Sequence, residues 1–376
     1  MNAFRASLMP LLKEHIESSE HRYTDNHWRY FTYGDSRFMA RDLDWFASHQ
    51  TLSFKRILSL CQDSIARQVA EKSELFSLLA DEDSRRALLA DAAYSIIGHR
   101  RVKFPWYREG AIQRMAALHA QCLCADVDEE EQNKYTAKEF TTLATNLLYD
   151  ASSIGLPARL YTNKVFLYAL DGEHDYRYQS ADVSVDVEPG DYVLDCGACL
   201  GDTALLFAHK AGKEGAVLSF EPNPLLYLAF ADNMKRNEAL SARIRLEDCA
   251  VSDMNDQILS FSLSASSSSL SDNPTTEGPL AIKVQATTID RVVQEAGLPR
   301  VDFIKMDVEG AELAALRGAL RTIVRFRPKL AICVYHNYGD YKNIPEFIQS
   351  LDLGYRLYLK KHFMNNWESV LYAKAE

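Results

Sequence analysis

The chain has 376 residues, 47% of them apolar and 25% charged, a globular composition that excludes a disordered or fibrous protein. Its formal net charge is −10, so the general basic field of a nucleic-acid binder is absent. No stretch approaches the roughly 20 apolar residues of a membrane helix, and the apolar start is interrupted by Pro10, Lys13 and Glu14, unlike a secretory leader.

The first 150 residues read as mostly helical. From Phe54, apolar residues recur at Ile57, Leu58, Cys61, Ile65 and Val69, the spacing of one helix face. A second helix is predicted from Asp81, whose side chain can cap the first turn, to Gly98, with Leu88, Leu89, Ala92, Ile96 and Ile97 facing inward. A third runs over 111–124, and the acidic run 126–131 is expected to be a solvated loop or helix start. The segments 159–168 and 176–179, separated by Asp171-Gly172, look like short strands joined by a turn. Seven cysteines (Cys61, Cys122, Cys124, Cys196, Cys199, Cys249 and Cys333) are an odd number set mostly in apolar runs. They predict buried, reduced thiols in a cytoplasmic protein. Cys196-x-x-Cys199 lacks a second pair and reads as packing.

After the turn signal Pro189-Gly190-Asp191, strands and helices alternate. Strands are predicted at 192–197, 216–221, 243–251, 281–285, 301–308 and 329–336, with helices at 203–211, 224–237, 287–296, 311–326 and 345–351. Two final strands follow, at 355–362 and 368–373. Pro224 suits a first helical turn, and Thr287 with Asp290 has capping-box spacing. Such alternation predicts a mostly parallel sheet covered on both faces. The chain thus divides into a helical N-terminal region (1–150), a connecting segment (151–190) and an α/β region (191–376).

In such a sheet the ligand lies at the carboxyl ends of the strands. The first strand runs into Asp195, Gly197, Gly201, Asp202 and Thr203. The glycines permit a tight turn, Thr203 and the following helix amides suit a carboxylate, and Asp195 suits an ammonium. The second strand ends in Glu221-Pro222, an acid placed for ribose hydroxyls, and the third in Ala250-Val251, a small apolar edge for adenine. An amino acid, a ribose and an adenine together describe S-adenosylmethionine. The dinucleotide fingerprint Gly-x-Gly-x-x-Gly fails, because Cys199 stands where the second glycine belongs. A nicotinamide-dependent oxidoreductase is still the rival reading, and a noncatalytic cofactor-binding module is a third.

Residues 301–312, Val-Asp-Phe-Ile-Lys-Met-Asp-Val-Glu-Gly-Ala-Glu, resemble the signature of the FkbM family of S-adenosylmethionine-dependent methyltransferases. Gly201-Asp-Thr-Ala, Phe220-Glu-Pro, Arg327-Pro-Lys-Leu-Ala-Ile, Tyr335-His336, Ile344-Pro345 and Glu368-Ser-Val-Leu-Tyr-Ala follow the same pattern in the same order. The likeness covers about residues 190–373, with a weaker one at 81–86 and 156–162. It implies a class I methyltransferase fold, Rossmann-like with a seven-stranded mostly parallel sheet, and O-methylation, often of sugars or polyketides, so the expected acceptor is a hydroxyl of a carbohydrate or secondary metabolite, a small molecule or a glycan.

Transfer from a sulfonium requires alignment of the acceptor and removal of its proton. His336 is the favoured base, since imidazole titrates near neutrality. Asp307 would orient the ligand or polarise His336, and Glu309 would act beside them or cap the next helix. A divalent metal held by Asp307, Glu309 and His336 is a less favoured arrangement. Lys305, within a strand, is expected to be structural and paired with an acid. Tyr161, Tyr168, Tyr176 and Tyr178 are expected in core or sheet surface rather than stacked on a sugar.

Overall fold

The structure is a computed structural model that describes residues 2–17, 53–98, 102, 111–136, 145–173, 176–262, 270–271, 281–362 and 368–376. Seven strands form the main sheet: β1 (Tyr192–Cys196), β2 (Ala216–Phe220), β3 (Ile244–Glu247), β4 (Phe303–Met306), β5 (Lys329–Cys333), β6 (Tyr355–Lys361) and β7 (Ser369–Ala375). Their order is β6-β7-β5-β4-β1-β2-β3. The pairs β5–β4, β4–β1, β1–β2 and β2–β3 are all parallel. Strand order reverses between β1 and β4, which makes that crevice the switch point where ligands bind in an open α/β sheet. This is the class I methyltransferase arrangement expected from the sequence.

The chain packs as two units, residues 1–109 with 334–374 and 376, and residues 110–333 with 375. The first is mainly helical. Its helix α1 (Ala3–Glu17) buries Phe4, Leu8, Leu12 and Ile16, one apolar face at four-residue spacing. Helix α2 (Gln62–Leu78) begins after a break at Cys61, so the single helix expected from Phe54 is two, the other being Phe54–Leu60. Helix α3 (Glu82–Ile97) starts as predicted, with Asp81 accepting the Ser84 N–H at 2.9 Å, and stops at Gly98. It is buried almost all round, and Asp91 is only 2% exposed. That carboxylate takes Lys72 at 2.7 Å, Lys361 at 2.9 Å and the Tyr341 hydroxyl at 2.9 Å. Burial alone would raise its pKa, but the two ammonium groups outweigh that and lower it.

In the second unit, helix α4 (Asp202–Ala211) follows β1 and helix α5 (Pro224–Arg236) follows β2. Pro224 sits in the first turn of α5, and Asn223 caps it through Leu225 N–H at 3.0 Å. A second sheet holds Ala250–Val251, Gln257–Ser262, Leu270–Ser271 and Ala281–Thr287. The strand predicted at 243–251 is therefore two strands in different sheets, parted at the exposed Asp248. Most of the serine-rich loop at 262–271 lies outside the described residues.

Other local expectations change for identifiable reasons. Arg159–Thr162 is a strand, but Asn163 then accepts the N–H groups of Val165 and Phe166, each at 3.0 Å, and starts the helix Lys164–Tyr168. The helix predicted from Thr287 begins at Ile289, capped by Thr288. Asp290 instead accepts from Arg321 N–H at 2.9 Å and Thr322 N–H at 2.7 Å, capping Leu320–Phe326 from outside. Residues 311–326 form two helices, not one, broken at Ala319. Tyr161, Tyr176 and Tyr178 are buried, and Tyr161 lies edge-on to Tyr135 with 4.8 Å between centroids.

The strand Arg159–Thr162 is held by two asparagines one turn apart on or just beyond α5. Asn233 accepts the Tyr161 N–H at 2.6 Å and donates to the Tyr161 and Leu200 carbonyls at 2.9 and 2.8 Å. Asn237 accepts from Arg159 N–H at 2.9 Å and donates to the Arg159 carbonyl at 2.7 Å. The two carboxamides present donors and acceptors as a neighbouring strand would. They tie the segment before β1 to the loop after it.

Candidate cofactor site

All the cofactor-side residues singled out in the sequence lie in the second unit. Gly197 ends β1 with φ +80°, and a Cβ there would stand 1.8 Å from the Asp307 carbonyl oxygen. Gly201, at φ +81°, has the Phe230 ring 2.0 Å from a Cβ position. Both glycines are thus required by contacts within the chain: Gly197 lets the loops after β1 and β4 touch, and Gly201 lets α5 pack against the turn.

Asp195 is fully buried. Its Oδ2 accepts the Thr203 hydroxyl at 2.8 Å, and its Oδ1 lies 3.3 Å from Lys305 Nζ. Thr203 therefore spends its hydroxyl on Asp195. Lys305 stands directly opposite Asp195 in the β4–β1 register, which puts both side chains on one face of the sheet. The expectation that Lys305 pairs with an acid is met. Its ammonium also donates to the carbonyls of Gly197 at 2.6 Å and Cys196 at 3.4 Å, and the Tyr176 ring centroid is 5.0 Å away. Burial would lower the Lys305 pKa, but Asp195, Asp307 and Cys333 outweigh it and raise it.

Glu221, just past β2, is 5% exposed. Its Oε2 accepts the Cys199 N–H at 2.8 Å and its Oε1 the Asn223 N–H at 2.9 Å. Burial pushes its pKa up to about 7, against the opposing pull of those two amides and of Lys305. Pro222 beside it is half-buried, Asp202 is buried, and Ala250 packs in the core of the second sheet with Leu259, Val284 and Ala286. Val251 is likewise buried.

Asp307 follows β4 and is half-buried. Its N–H donates to the Cys196 carbonyl at 3.0 Å, and its Oδ2 accepts the Tyr176 hydroxyl at 2.9 Å. Tyr176 comes from the segment ahead of β1 and has φ +50°, a left-handed conformation uncommon for a bulky residue. The loop after β4 is organised by Glu312, which is fully buried and accepts from Val308 N–H at 2.8 Å and Gly310 N–H at 3.1 Å. Glu309 is exposed, and the helix Glu312–Gly318 carries no side-chain cap at its start, so the capping role considered for Glu309 is not filled; Glu312 holds the loop ahead of the helix instead. Glu312 stands in the 301–312 signature itself; Tyr176 has no motif around it that could have flagged it.

Most amides of the turn after β1 are spent within the chain. Gly197 and Ala198 donate to the Phe220 carbonyl at 3.1 and 3.0 Å, Cys199 donates to Glu221, and Gly201 donates to the Ala198 carbonyl at 2.8 Å. A pyrophosphate needs such amides free and facing it. Here they are engaged, and the strand tips present carboxylates. Carboxylates at the strand tips are acceptors that suit a ligand offering hydroxyl or ammonium donors, both of which S-adenosylmethionine has.

His336 belongs to the first unit, three residues beyond β5 in the chain. It is half-buried, with its ring 4.0 Å from that of Tyr335.

Sheet order, switch point and acid-tipped strands define a class I methyltransferase architecture. Residues 195–357 match the methyltransferase FkbM domain. Over 173 residues it is 29% identical to the 2-O-methyltransferase NoeI of Sinorhizobium fredii, covering 42% of this chain and 67% of that protein. Over 144 residues it is 31% identical to the hexuronic acid methyltransferase AglP of Haloferax volcanii, covering 35% of this chain and 52% of that protein. The crystal structure of methyltransferase FkbM from Methylobacillus flagellatus superposes with a TM-score of 0.49 at 19% identity, over 83% of this chain and 60% of that one. The chain thus spans about half to two thirds of the length of these relatives. Among the described residues, no helix is long and apolar enough to cross a membrane.

Proposed function

We propose that this protein methylates a hydroxyl of a carbohydrate acceptor, using S-adenosylmethionine. The observation that carries the reading is the cluster of strand-tip acids around the Gly197 turn, inside the segment that matches the FkbM domain. Two relatives named for 2-O-methyl and hexuronic acid methyl transfer support the acceptor class. A cytoplasmic setting and a glycan or small-molecule acceptor belong to the same proposal.

When bound, S-adenosylmethionine supplies an electrophilic methyl on a sulfonium. Glu221 is the residue to hold the ribose hydroxyls, because a buried carboxylate with one amide on each oxygen keeps further acceptor capacity. Gly197, Gly201, Asp202, Thr203 and Pro222 shape the turn; Ala250 and Val251 are the apolar edge proposed for adenine. Asp307 fixes the reacting end. His336 is proposed as the general base, taking the acceptor proton on a ring nitrogen, with Asp307 and Glu309 as supporting acids.

The test is incubation with S-adenosylmethionine and a panel of uronic acids and oligosaccharides. Methylated sugar and S-adenosylhomocysteine should appear together. His336→Ala should lower turnover about 100-fold with cofactor affinity nearly intact. Unchanged turnover removes His336 from the mechanism.

A further inference from the structure

Asp195, Glu221 and Asp307 stand at the tips of β1, β2 and β4, and their environments differ. Asp195 is fully buried and Glu221 is 5% exposed, while Asp307 is half-buried. Asp195 and the carbonyls beside it are the acceptors a ligand ammonium would seek. Lys305 Nζ lies 3.3 Å from its Oδ1 and hydrogen-bonds the adjacent carbonyls of Gly197, at 2.6 Å, and Cys196, at 3.4 Å. An ammonium bound to a carboxylate, the last carbonyl of β1 and the first of the turn is thus already present, built into β4 and 2% exposed.

A second ammonium competing for these acceptors would meet like charge in a desolvated pocket, which is strongly unfavourable. Asp307 adjoins the same turn: its carbonyl oxygen lies where a Gly197 Cβ would stand, and its N–H holds the Cys196 carbonyl. Tyr176 fixes one carboxylate oxygen at 2.9 Å and lays its ring beside Lys305, so the orientation of Asp307 is set before any ligand arrives.

We propose that Lys305 is an internal ammonium that permanently fills the Asp195 subsite, and that the amino group of the cofactor is taken by Asp307, with Tyr176 as its positioning residue. This rests on the S-adenosylmethionine reading above and assigns one end of that ligand. Asp195 then serves the fold, and Asp307 distinguishes cofactors that carry an amino-acid tail from those that do not.

Calorimetric titration with two probes tests it: S-adenosylhomocysteine, which has the amino-acid end, and methylthioadenosine, which lacks it. Asp307→Asn and Asp307→Ser should each weaken S-adenosylhomocysteine about tenfold or more, the loss of one charge-assisted contact. Methylthioadenosine should bind both variants within about twofold of wild type. Tyr176→Phe should show the same selective loss in smaller measure. Asp195→Asn should lower the melting temperature, yet keep the wild-type ratio of the two affinities. Wild-type binding of S-adenosylhomocysteine by both Asp307 variants overturns the proposal. So does a folded Asp195→Asn that loses S-adenosylhomocysteine and keeps methylthioadenosine. If the wild-type protein binds neither probe, the cofactor reading itself fails, and the inference falls with it.

Discussion

The Glu221 carboxylate accepts the Cys199 N–H at 2.8 Å, joining the tip of β2 to the turn after β1. Cys199 has φ +50°, so the bond is made by a residue in the left-handed region. One acid thereby shapes the turn, and it is also the residue proposed to hold the ribose.

Its protonation makes that dual role measurable. The Glu221 pKa is raised from the ordinary 4.5 to about 7, chiefly by burial. Hydroxyl donors prefer the ionised form, so affinity for S-adenosylhomocysteine should rise as pH climbs through about 7, by at most tenfold per unit. For the free protein the sign is opposite. A carboxyl whose folded pKa is raised contributes stability in full below 4.5 and loses it as pH rises through about 7. Glu221→Gln should flatten both profiles. Affinity that is level between pH 6 and 8 in wild type would remove Glu221 from the ligand contact.

Gly197→Ala places a Cβ 1.8 Å from the Asp307 carbonyl oxygen at a φ of +80°. Backbone faces backbone there, so no side-chain rotation relieves the clash. The variant should lose several kcal/mol of stability and bind no S-adenosylhomocysteine. A wild-type melting temperature and affinity would show that the two loops do not meet as described.

Asp91 predicts a different behaviour in the first unit. It is 2% exposed and pairs with both Lys72 and Lys361, which are 2% and 0% exposed. Asp91→Ala leaves two buried ammonium groups facing each other and should lose about 3–5 kcal/mol, read from urea unfolding. Replacing all three by Leu, Met and Met should recover most of that. The folded pKa of Asp91 lies below the ordinary 3.8, so its stabilisation is full above 3.8 and is lost only as pH falls further. An unchanged urea midpoint for Asp91→Ala would contradict the pairing.

Much of this was legible in the residues. The strand–helix alternation from 192 onward, the Asp81 cap and the acids at strand ends follow from period, capping chemistry and sheet topology, all local signals. Lys305 could be read as paired with an acid, but not with which one. That depends on β4 lying beside β1 in a register that sets Lys305 against Asp195, a contact between residues 110 positions apart. Tyr176 was hidden for the same reason. The run 159–168 misled because Asn163 sits among β-formers yet its side chain caps a helix. Glu309 and Glu312 are indistinguishable by composition; only burial shows that Glu312 holds the loop.

The central claim is that the tips of β1, β2 and β4 cradle an adenosyl sulfonium and not a dinucleotide. Isothermal titration of the intact chain with S-adenosylhomocysteine, and separately with NAD, tests it most directly. The account predicts one S-adenosylhomocysteine per chain, an affinity weakened about tenfold or more by Glu221→Ala, and no heat from NAD. Saturable binding of NAD with S-adenosylhomocysteine silent would contradict it.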